Sequence, residues 1–413
     1  MPEIVLVRHA ESTANVAQAW QGRGNSALSD EGRTQVEALA GRLVDHRFDA
    51  VVSSPLVRAV DTAGALVDAP RTDDRAVEID LGSWEGMEFS AVMSTDAARL
   101  RAVFSGADEP FGGDGERLSD VAARIWDLVD ELAARVGPNG RAAVVTHGGV
   151  IDAVMATVLP PVTRRAHRIV SNTSLTHLVG EPGKWRLARF NDSTHLDPIG
   201  SLARRQLEEG NAVLALIRHG RTKANDEGRC QGQSCWGLDQ VGETQARLLA
   251  DWYGPLRRVY TSPLERAMAT AVAIAADSPT PVDGLMEIAM GHWEGLDMDE
   301  VARRWPELVR RIYEEGEDLP RGEQGETWKD LTDRIVATVA ALEAEPGQIT
   351  GVVSHGGAIR AYLGTLGGDD SAPRSGLHTP ENTSFSHVAL TDHGPMLCDY
   401  AVAPHLDGAR VSP

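Results

Sequence analysis

A chain of 413 residues is long enough for two or three domains of roughly 150 residues, each with a sizeable hydrophobic core, which excludes a single small domain. Forty Lys and Arg against 60 Asp and Glu give a formal charge of −20, which repels phosphate backbones and anionic lipid surfaces, so neither nucleic acid nor membrane is expected as a partner. Apolar residues make up 42%, and 41 Gly with 21 Pro stay below the share that marks low-complexity chains, so a globular protein is expected.

The N-terminus, Met1 to Val7 and then Arg8-His9, has no basic segment leading an apolar stretch, so no signal peptide is read there, and no apolar run approaches the roughly 20 residues of a membrane span. Cys230, Cys235 and Cys398 are an odd number, with no disulfide framework; they fit a reducing compartment, and a cytoplasmic protein is expected. The C-x4-C spacing has no close His and is weak for zinc.

Ile4 to Val7 is a short apolar run that reads as a buried strand ending at Arg8-His9. Asp30 to Leu43 opens on a capping-type residue and repeats apolar positions at helical spacing. Ala50-Val-Val is strand-like, followed by Ser53-Ser-Pro and a helical stretch, with Pro55 suited to its first turn. Ala142 to Thr146 repeats the strand-to-helix pattern, and Trp185 to Phe190 closes a unit. The polar stretch Asn191-Asp-Ser-Thr and the charged Ala203 to Gly210 read as linker, the second with room for a short helix.

The same series then runs again. Arg8-His9 recurs as Arg218-His219, Ser-Ser-Pro-Leu-Val-Arg58 as Thr-Ser-Pro-Leu-Glu-Arg266, Glu78 with Trp84-Glu-Gly as Glu287 with Trp293-Glu-Gly, and Thr146-His147-Gly-Gly as Ser354-His355-Gly-Gly, all displaced by 208 to 210 residues. Near-constant displacement implies a duplicated domain, residues 1–200 and 201–413. Strands alternating with helices predict an α/β fold for each unit, a sandwich with a mainly parallel sheet. Ligands of such sheets bind beyond the carboxyl ends of the strands, where the Arg-His and His-Gly-Gly segments lie.

Each copy has two histidines, two arginines and a glutamate at or just after strand ends, and their convergence on one site is the expectation. Arg8 and Arg58, like Arg218 and Arg266, offer forked, permanently charged donors for a tetrahedral anion such as phosphate, and Gly148 and Gly356 at helix N-termini add backbone N–H donors. A neutral imidazole attacks phosphorus, which makes His9 and His219 candidate nucleophiles. Glu78 and Glu287 fit the general acid that protonates the leaving alkoxide and the base that then activates water. His147 and His355, charged when phosphate is bound, assist the arginines in holding the transferring group.

These residues resemble the histidine phosphatase superfamily, or phosphoglycerate-mutase-like proteins, over both halves. The likeness takes in Arg8-His9-Ala-Glu-Ser-Thr-Ala-Asn15, Leu28-Ser-Asp-Glu-Gly32 with Gln35, the segment ending at Arg58, Glu78 with Gly82 and Trp84-Glu-Gly, and Thr146-His147-Gly-Gly; the second half repeats them, with Asn225, Leu238, Gly242 and Gln245. The resemblance implies hydrolysis or transfer of small phosphomonoesters through a phosphohistidine on His9 and His219, with no metal and no cofactor, on three-layer α/β/α domains. It makes Asn15 and Asn225 phosphate contacts, and makes the segments running to about Glu116 and Glu326 short caps over the pockets. Arg221 stands where the family often has Glu, adding positive charge near the second pocket. Ser83 against His292, and Asn25-Ser-Ala against Ser234-Cys-Trp236, point to pockets with different substrates.

Trp84 and Trp293 read as packing residues, the acidic run Glu314 to Asp318 as a solvated face, and His46, His167, His177, His195, His378, His387, His393 and His405 as surface or satisfied core histidines. The first expectation is a tandem phosphatase of sugar, nucleoside or natural-product phosphates. The alternatives are a phosphoglycerate-type mutase, which needs a closed and strongly basic pocket, a non-catalytic phosphate-binding or scaffold module in one half, and a protein phosphatase, which nothing in the sequence selects.

Overall fold

The computed structural model describes residues 1–159, 169–367 and 376–407, and it divides into two compact units, Met1–Leu202 and Ala203–Pro413. In the first, strands β1 (Glu3–Arg8), β2 (Ala50–Ser53), β3 (Arg71–Thr72), β4 (Arg141–Thr146), β5 (Leu175–Val179) and β6 (Arg186–Asp192) form one sheet in the order β3-β2-β4-β1-β5-β6. The pairs β3-β2, β2-β4 and β4-β1 are parallel, while β5 and β6 continue the sheet antiparallel. Successive strand residues point to opposite faces, and both faces are covered, which is why β1 is an unbroken apolar run. Val5, Val7 and Val145 pack under helices Asp30–Leu43 and Val57–Ala63. Across the sheet, Leu118–Val136 touches β1 and β4, and Gly148–Val158 touches β1.

The second unit repeats this plan. Strands β7 (Ala212–Arg218), β8 (Arg258–Thr261), β9 (Thr280–Pro281), β10 (Ile349–Ser354), β11 (Phe385–Thr391) and β12 (Gly394–Leu397) lie in the order β12-β11-β7-β10-β8-β9. Again the four strands from β7 to β9 run parallel and the other two antiparallel. Two three-layer α/β/α units with mainly parallel sheets result.

One register positions everything that follows. β1 and β4 are parallel neighbours that stop together, Arg8 opposite Thr146, and His9 N–H donates to the Thr146 carbonyl at 2.9 Å. The next residues in each chain segment, His9 and His147, therefore leave the sheet side by side. Arg218 stands opposite Ser354 in the second unit, and His219 N–H donates to Ser354 at 3.0 Å.

Several local expectations are corrected. The first long helix is capped by Ser29, whose hydroxyl accepts from Gly32 N–H, so Asp30 is already inside the first turn; Asp239 does cap its counterpart. Pro55 and Pro263 stand just ahead of the N-cap residues Leu56 and Leu264, not inside the first turn. Asn191 to Thr194 are buried, not linker: Asp192 ends β6 and takes ion pairs from Arg42 and Arg189, each at 3.1 Å. Helix Ser201–Glu208 follows.

The acidic run is also more than a solvated face, because Glu315, Glu317 and Asp318 pair with Arg310, Arg311 and Arg321. Trp84 and Trp293 are buried packing residues. His195 and His405 each meet a threonine hydroxyl, Thr173 at 2.9 Å and Thr383 at 3.0 Å, while His177 meets Glu3 and His387 meets Asp399. His167 lies outside the described residues. Among the described residues no helix is long and apolar enough to cross a membrane.

Candidate active site

His9 leaves β1 with its ring almost fully buried. Its Nδ1 is 2.7 Å from the Ala10 carbonyl, which only accepts, so the proton sits on Nδ1 and the lone pair on Nε2. Arg58 Nε donates to that Nε2 at 3.3 Å. Burial, then the charges of Arg8 and Arg58, hold the imidazole well below its usual range, so it is neutral in the empty site.

Arg58 is itself held. Its two amino groups donate to the carbonyls of Gly24 and Gly22 at 2.8 and 2.9 Å, and the N–H groups of those glycines donate in turn to Glu85. The glutamate of Trp84-Glu-Gly thus shapes the loop that aims the arginine. On the other side, Arg8 donates to the carbonyl of Val170.

The His147 ring centre stands 5.0 Å from that of His9. Its Nε2 is 2.7 Å from Ser54 Oγ, a hydroxyl that accepts from Leu56 N–H and has its own proton to donate. In that tautomer Nδ1 carries the proton, and Nδ1 is buried with no partner among the described residues. Burial and the neighbouring cationic groups pull His147 below its usual range as well. It is therefore neutral in the empty site.

Glu78 lies beyond these groups, its Oε1 accepting from Ile79 N–H at 2.9 Å and its Oε2 from Gly149 N–H at 3.2 Å. A Cβ at Gly149 would stand 2.5 Å from Glu78 Oε1, so only glycine lets the carboxyl approach the helix. Burial raises this carboxyl above its ordinary value against the pull of its hydrogen bonds and of Arg58. Arg8, Glu78 and Gly148 line a cavity of about 380 Å³ together with Trp20, Leu81 and Ile169.

The second unit reproduces this geometry. His219 Nδ1 meets the Gly220 carbonyl at 2.7 Å, His355 Nε2 meets Ser262 Oγ at 2.8 Å, and their ring centres are 5.1 Å apart. Glu287 accepts from Ile288, Gly357 and Ala358 N–H. Arg266 donates to the Gly232 and Ser234 carbonyls, and its Nε is buried without a partner among the described residues. Burial pulls Arg218 down to about 10, and His219 and His355 well below the usual imidazole range.

Asn15 and Asn225 sit in capping boxes, their Oδ1 accepting from the N–H of Ser12 and Thr222. That leaves the Nδ2 amino group unused by the box. Asn225 is brought to the site by Asn382, which donates to both Asn225 Oδ1 and the His219 carbonyl; Asn172 makes only the second of these contacts, to His9. Gly148 and Gly356 open their helices behind His147 and His355.

One expectation fails here. Arg221 adds no free charge to the second pocket, because it is neutralised by Asp226 and Asp239 at 2.8 and 2.9 Å.

Other positions were not singled out from sequence. Arg124 chelates Glu116 and donates to the carbonyls of Arg75, Val77 and Glu78, fixing the segment that carries the general-acid candidate; Arg334 does the same with Glu326, Gly284, Met286 and Glu287. Ser54 and Ser262 orient the second histidines. Both positions, the arginine and the serine, recur in the two halves of the chain, and that recurrence was the available signal. Among the described residues no cluster of three or more His, Cys, Asp or Glu could hold a metal ion.

Both halves of the chain are similar to known proteins. The family model described as the histidine phosphatase superfamily (branch 1) matches residues 4–193 and again residues 214–402. A metal-independent phosphoserine phosphatase of Arabidopsis thaliana is 32% identical over 213 residues, 49% of this chain and 86% of its own length. A glucosyl-3-phosphoglycerate phosphatase of Mycobacterium tuberculosis is 34% identical over 215 residues, 47% of this chain and 96% of its own length. Among solved structures, a mycobacterial glucosyl-3-phosphoglycerate phosphatase complexed with VO3 is 35% identical, covering 46% of this chain and 99% of its own, with a TM-score of 0.42.

Proposed function

The chain belongs to the histidine phosphatase superfamily, branch 1, and from that premise we propose that each unit hydrolyses small phosphomonoesters without metal through a phosphohistidine. The observation that carries this reading is the anchored tautomer: an imidazole whose Nδ1 is committed to a carbonyl keeps its Nε2 lone pair beside Arg58, where an anion's phosphorus would arrive.

His9 Nε2 attacks phosphorus and the P–O ester bond breaks. The leaving alkoxide takes the proton of the Glu78 carboxylic acid, whose raised pKa keeps that proton available. Arg8, Arg58 and the Nδ1–H of His147 hold the equatorial oxygens, and the incoming anion offsets the cationic surroundings that keep His147 neutral in the empty site. Water then attacks the phosphoryl group and gives a proton to Glu78 as the P–N bond breaks, which releases inorganic phosphate and restores neutral His9. His219, Glu287, Arg218, Arg266 and His355 take the same roles in the second unit, with the N–H groups of Asn15, Asn225, Gly148 and Gly356 as further hydrogen-bond donors to the phosphate.

We assign the two activities to residues 1–200 and 201–413. Phosphoserine and glucosyl-3-phosphoglycerate, from the names of the relatives, belong in the substrate panel beside sugar, nucleotide and aryl phosphates. A cytoplasmic setting is part of the same proposal, supported by the free thiols of Cys230, Cys235 and Cys398.

The test is phosphate release in the presence of a chelator by the unsubstituted chain, His9→Ala, His219→Ala and the double variant. Chelation is expected to change nothing, each single variant to lose a different subset of substrates, and the double variant to lose all turnover. Turnover that needs a divalent ion, or that survives in the double variant, rejects the mechanism. Intramolecular phosphate migration with little free phosphate would mark a mutase instead.

A further inference from the structure

The turn that enters β5 reads Asn172-Thr173-Ser174, and the turn that enters β11 reads Asn382-Thr383-Ser384. In each, the threonine has a positive φ, 55° at Thr173 and 60° at Thr383. Among the described residues these two are the β-branched side chains in that left-handed region, where the branched Cβ crowds the backbone and the conformation costs energy. The same strained residue recurs beside both active sites, so the strain is tied to what the turn does there.

The strained turn faces the nucleophile. Thr173 N–H donates to the Arg8 carbonyl at 3.1 Å, and Asn172 Nδ2 donates to the His9 carbonyl at 2.9 Å. The N–H at the other end of that peptide group, which belongs to Ala10, donates to Thr62 Oγ1 at 2.9 Å. The peptide joining His9 to Ala10 is thus gripped from both ends, and Ala10 also supplies the carbonyl that holds His9 Nδ1. Rotation of the peptide would swing the imidazole off its line of attack. In the second unit Asn382, at 2.9 Å, and Thr270, at 3.0 Å, grip the peptide joining His219 to Gly220 in the same way.

Each turn is braced from behind by a histidine that takes no part in the chemistry. The Thr173 hydroxyl lies 2.7 Å from the Asn172 carbonyl, which only accepts, so its one proton goes there and its oxygen accepts from His195 Nε2 at 2.9 Å. Thr383 makes the same bridge, 2.6 Å from the Asn382 carbonyl and 3.0 Å from His405 Nε2.

On the phosphatase reading of both sites, we propose that Asn172 and Asn382 are positioning residues for the nucleophiles His9 and His219, each held in place by the strained threonine that follows it. The units differ in one respect. Asn382 also donates to Asn225 Oδ1 at 3.3 Å, so it sets a phosphate contact together with the nucleophile, whereas Asn172 sets the nucleophile alone.

The test follows turnover of nitrophenyl phosphate, and its competitive inhibition by inorganic phosphate, in full-length chains with one working site. In His219→Ala, which leaves the first site intact, Asn172→Ala is expected to lower kcat about 10- to 100-fold while KM and the phosphate inhibition constant stay within about twofold, because the contacts to the anion remain. Asn172→Asp, similar in size but with no donor for the carbonyl, is expected to match it. Thr173→Val, which removes the bridging hydroxyl and keeps the branched shape, is expected to lower kcat as well, and Thr173→Ser to retain it. In His9→Ala, Asn382→Ala is expected to lower kcat and also to weaken phosphate inhibition several-fold, through Asn225.

An unchanged kcat in Asn172→Ala, full activity in Asn172→Asp, or equal losses in the two Thr173 variants overturns the inference and leaves the phosphatase reading standing. So does an Asn172→Ala chain that no longer folds, or one in which phosphate inhibition disappears along with turnover, since either marks a residue that only maintains the structure. Absence of phosphate release by the unsubstituted chain removes both.

Discussion

His9 and Glu78 hold opposite protonation preferences for one shared reason, burial, which disfavours the charged form of each. The imidazole thereby keeps Nε2 free of a proton while the carboxyl tends to retain its own, the pair of states that the proposed first step uses. In a His219→Ala background, Glu78→Gln is expected to lower kcat about 10²- to 10⁴-fold for alkyl phosphates, whose alkoxides require a proton, and much less for nitrophenyl phosphate. Equal loss on both substrates would take the proton-donor role away from Glu78. The histidines and arginines were legible in the sequence because each recurs in the second half, Arg8 and Arg218 at strand ends and Arg58 and Arg266 in the first turn of the helix after a strand. Arg221 was misread because sequence order does not reveal that Asp226 and Asp239 reach it.

At the level of elements, the parallel pairing of β1 with β4 and the helices that follow them bring distant residues together, and strand-to-helix alternation with apolar runs was enough to predict that. What escaped was tertiary support. Arg124 looks like any charged residue of an amphipathic helix, yet it ties helix Leu118–Val136 to Glu116 and to three carbonyls around Glu78. Arg124→Ala is expected to destabilise the first unit by about 2 to 4 kcal/mol in denaturant unfolding, because Glu116 and these carbonyls lose their donor, and to depress turnover at the first site more than at the second. An unfolding midpoint within error of the unsubstituted chain would show that the carbonyls find other donors. Asn191 to Thr194 were misread for a related reason: a polar tetrad resembles linker until Arg42 and Arg189 are seen on the buried Asp192.

Among the described residues, four buried site histidines, His9, His147, His219 and His355, are held below their usual range, and burial pulls His195 down to about 4. The folded chain then binds fewer protons than the unfolded one at pH values beneath about 6.5, so the stability present above that value is lost as pH falls. Each histidine kept neutral contributes a slope of up to about 1.4 kcal/mol per pH unit there. Melting temperature is expected to drop between pH 7 and 5 in the empty protein, and inorganic phosphate, by supplying the missing negative charge, is expected to reduce the drop. A flat profile over that interval would mean that the rings take up protons without cost. The carbonyl that holds Nδ1 recurs at both centres, Ala10 for His9 and Gly220 for His219. Its consequence reaches beyond catalysis to chemical identity: of the two isomeric phosphohistidines, a chain trapped during turnover should carry only the τ form at either position, so isomer-selective antibodies would register the τ signal and stay silent for the π isomer.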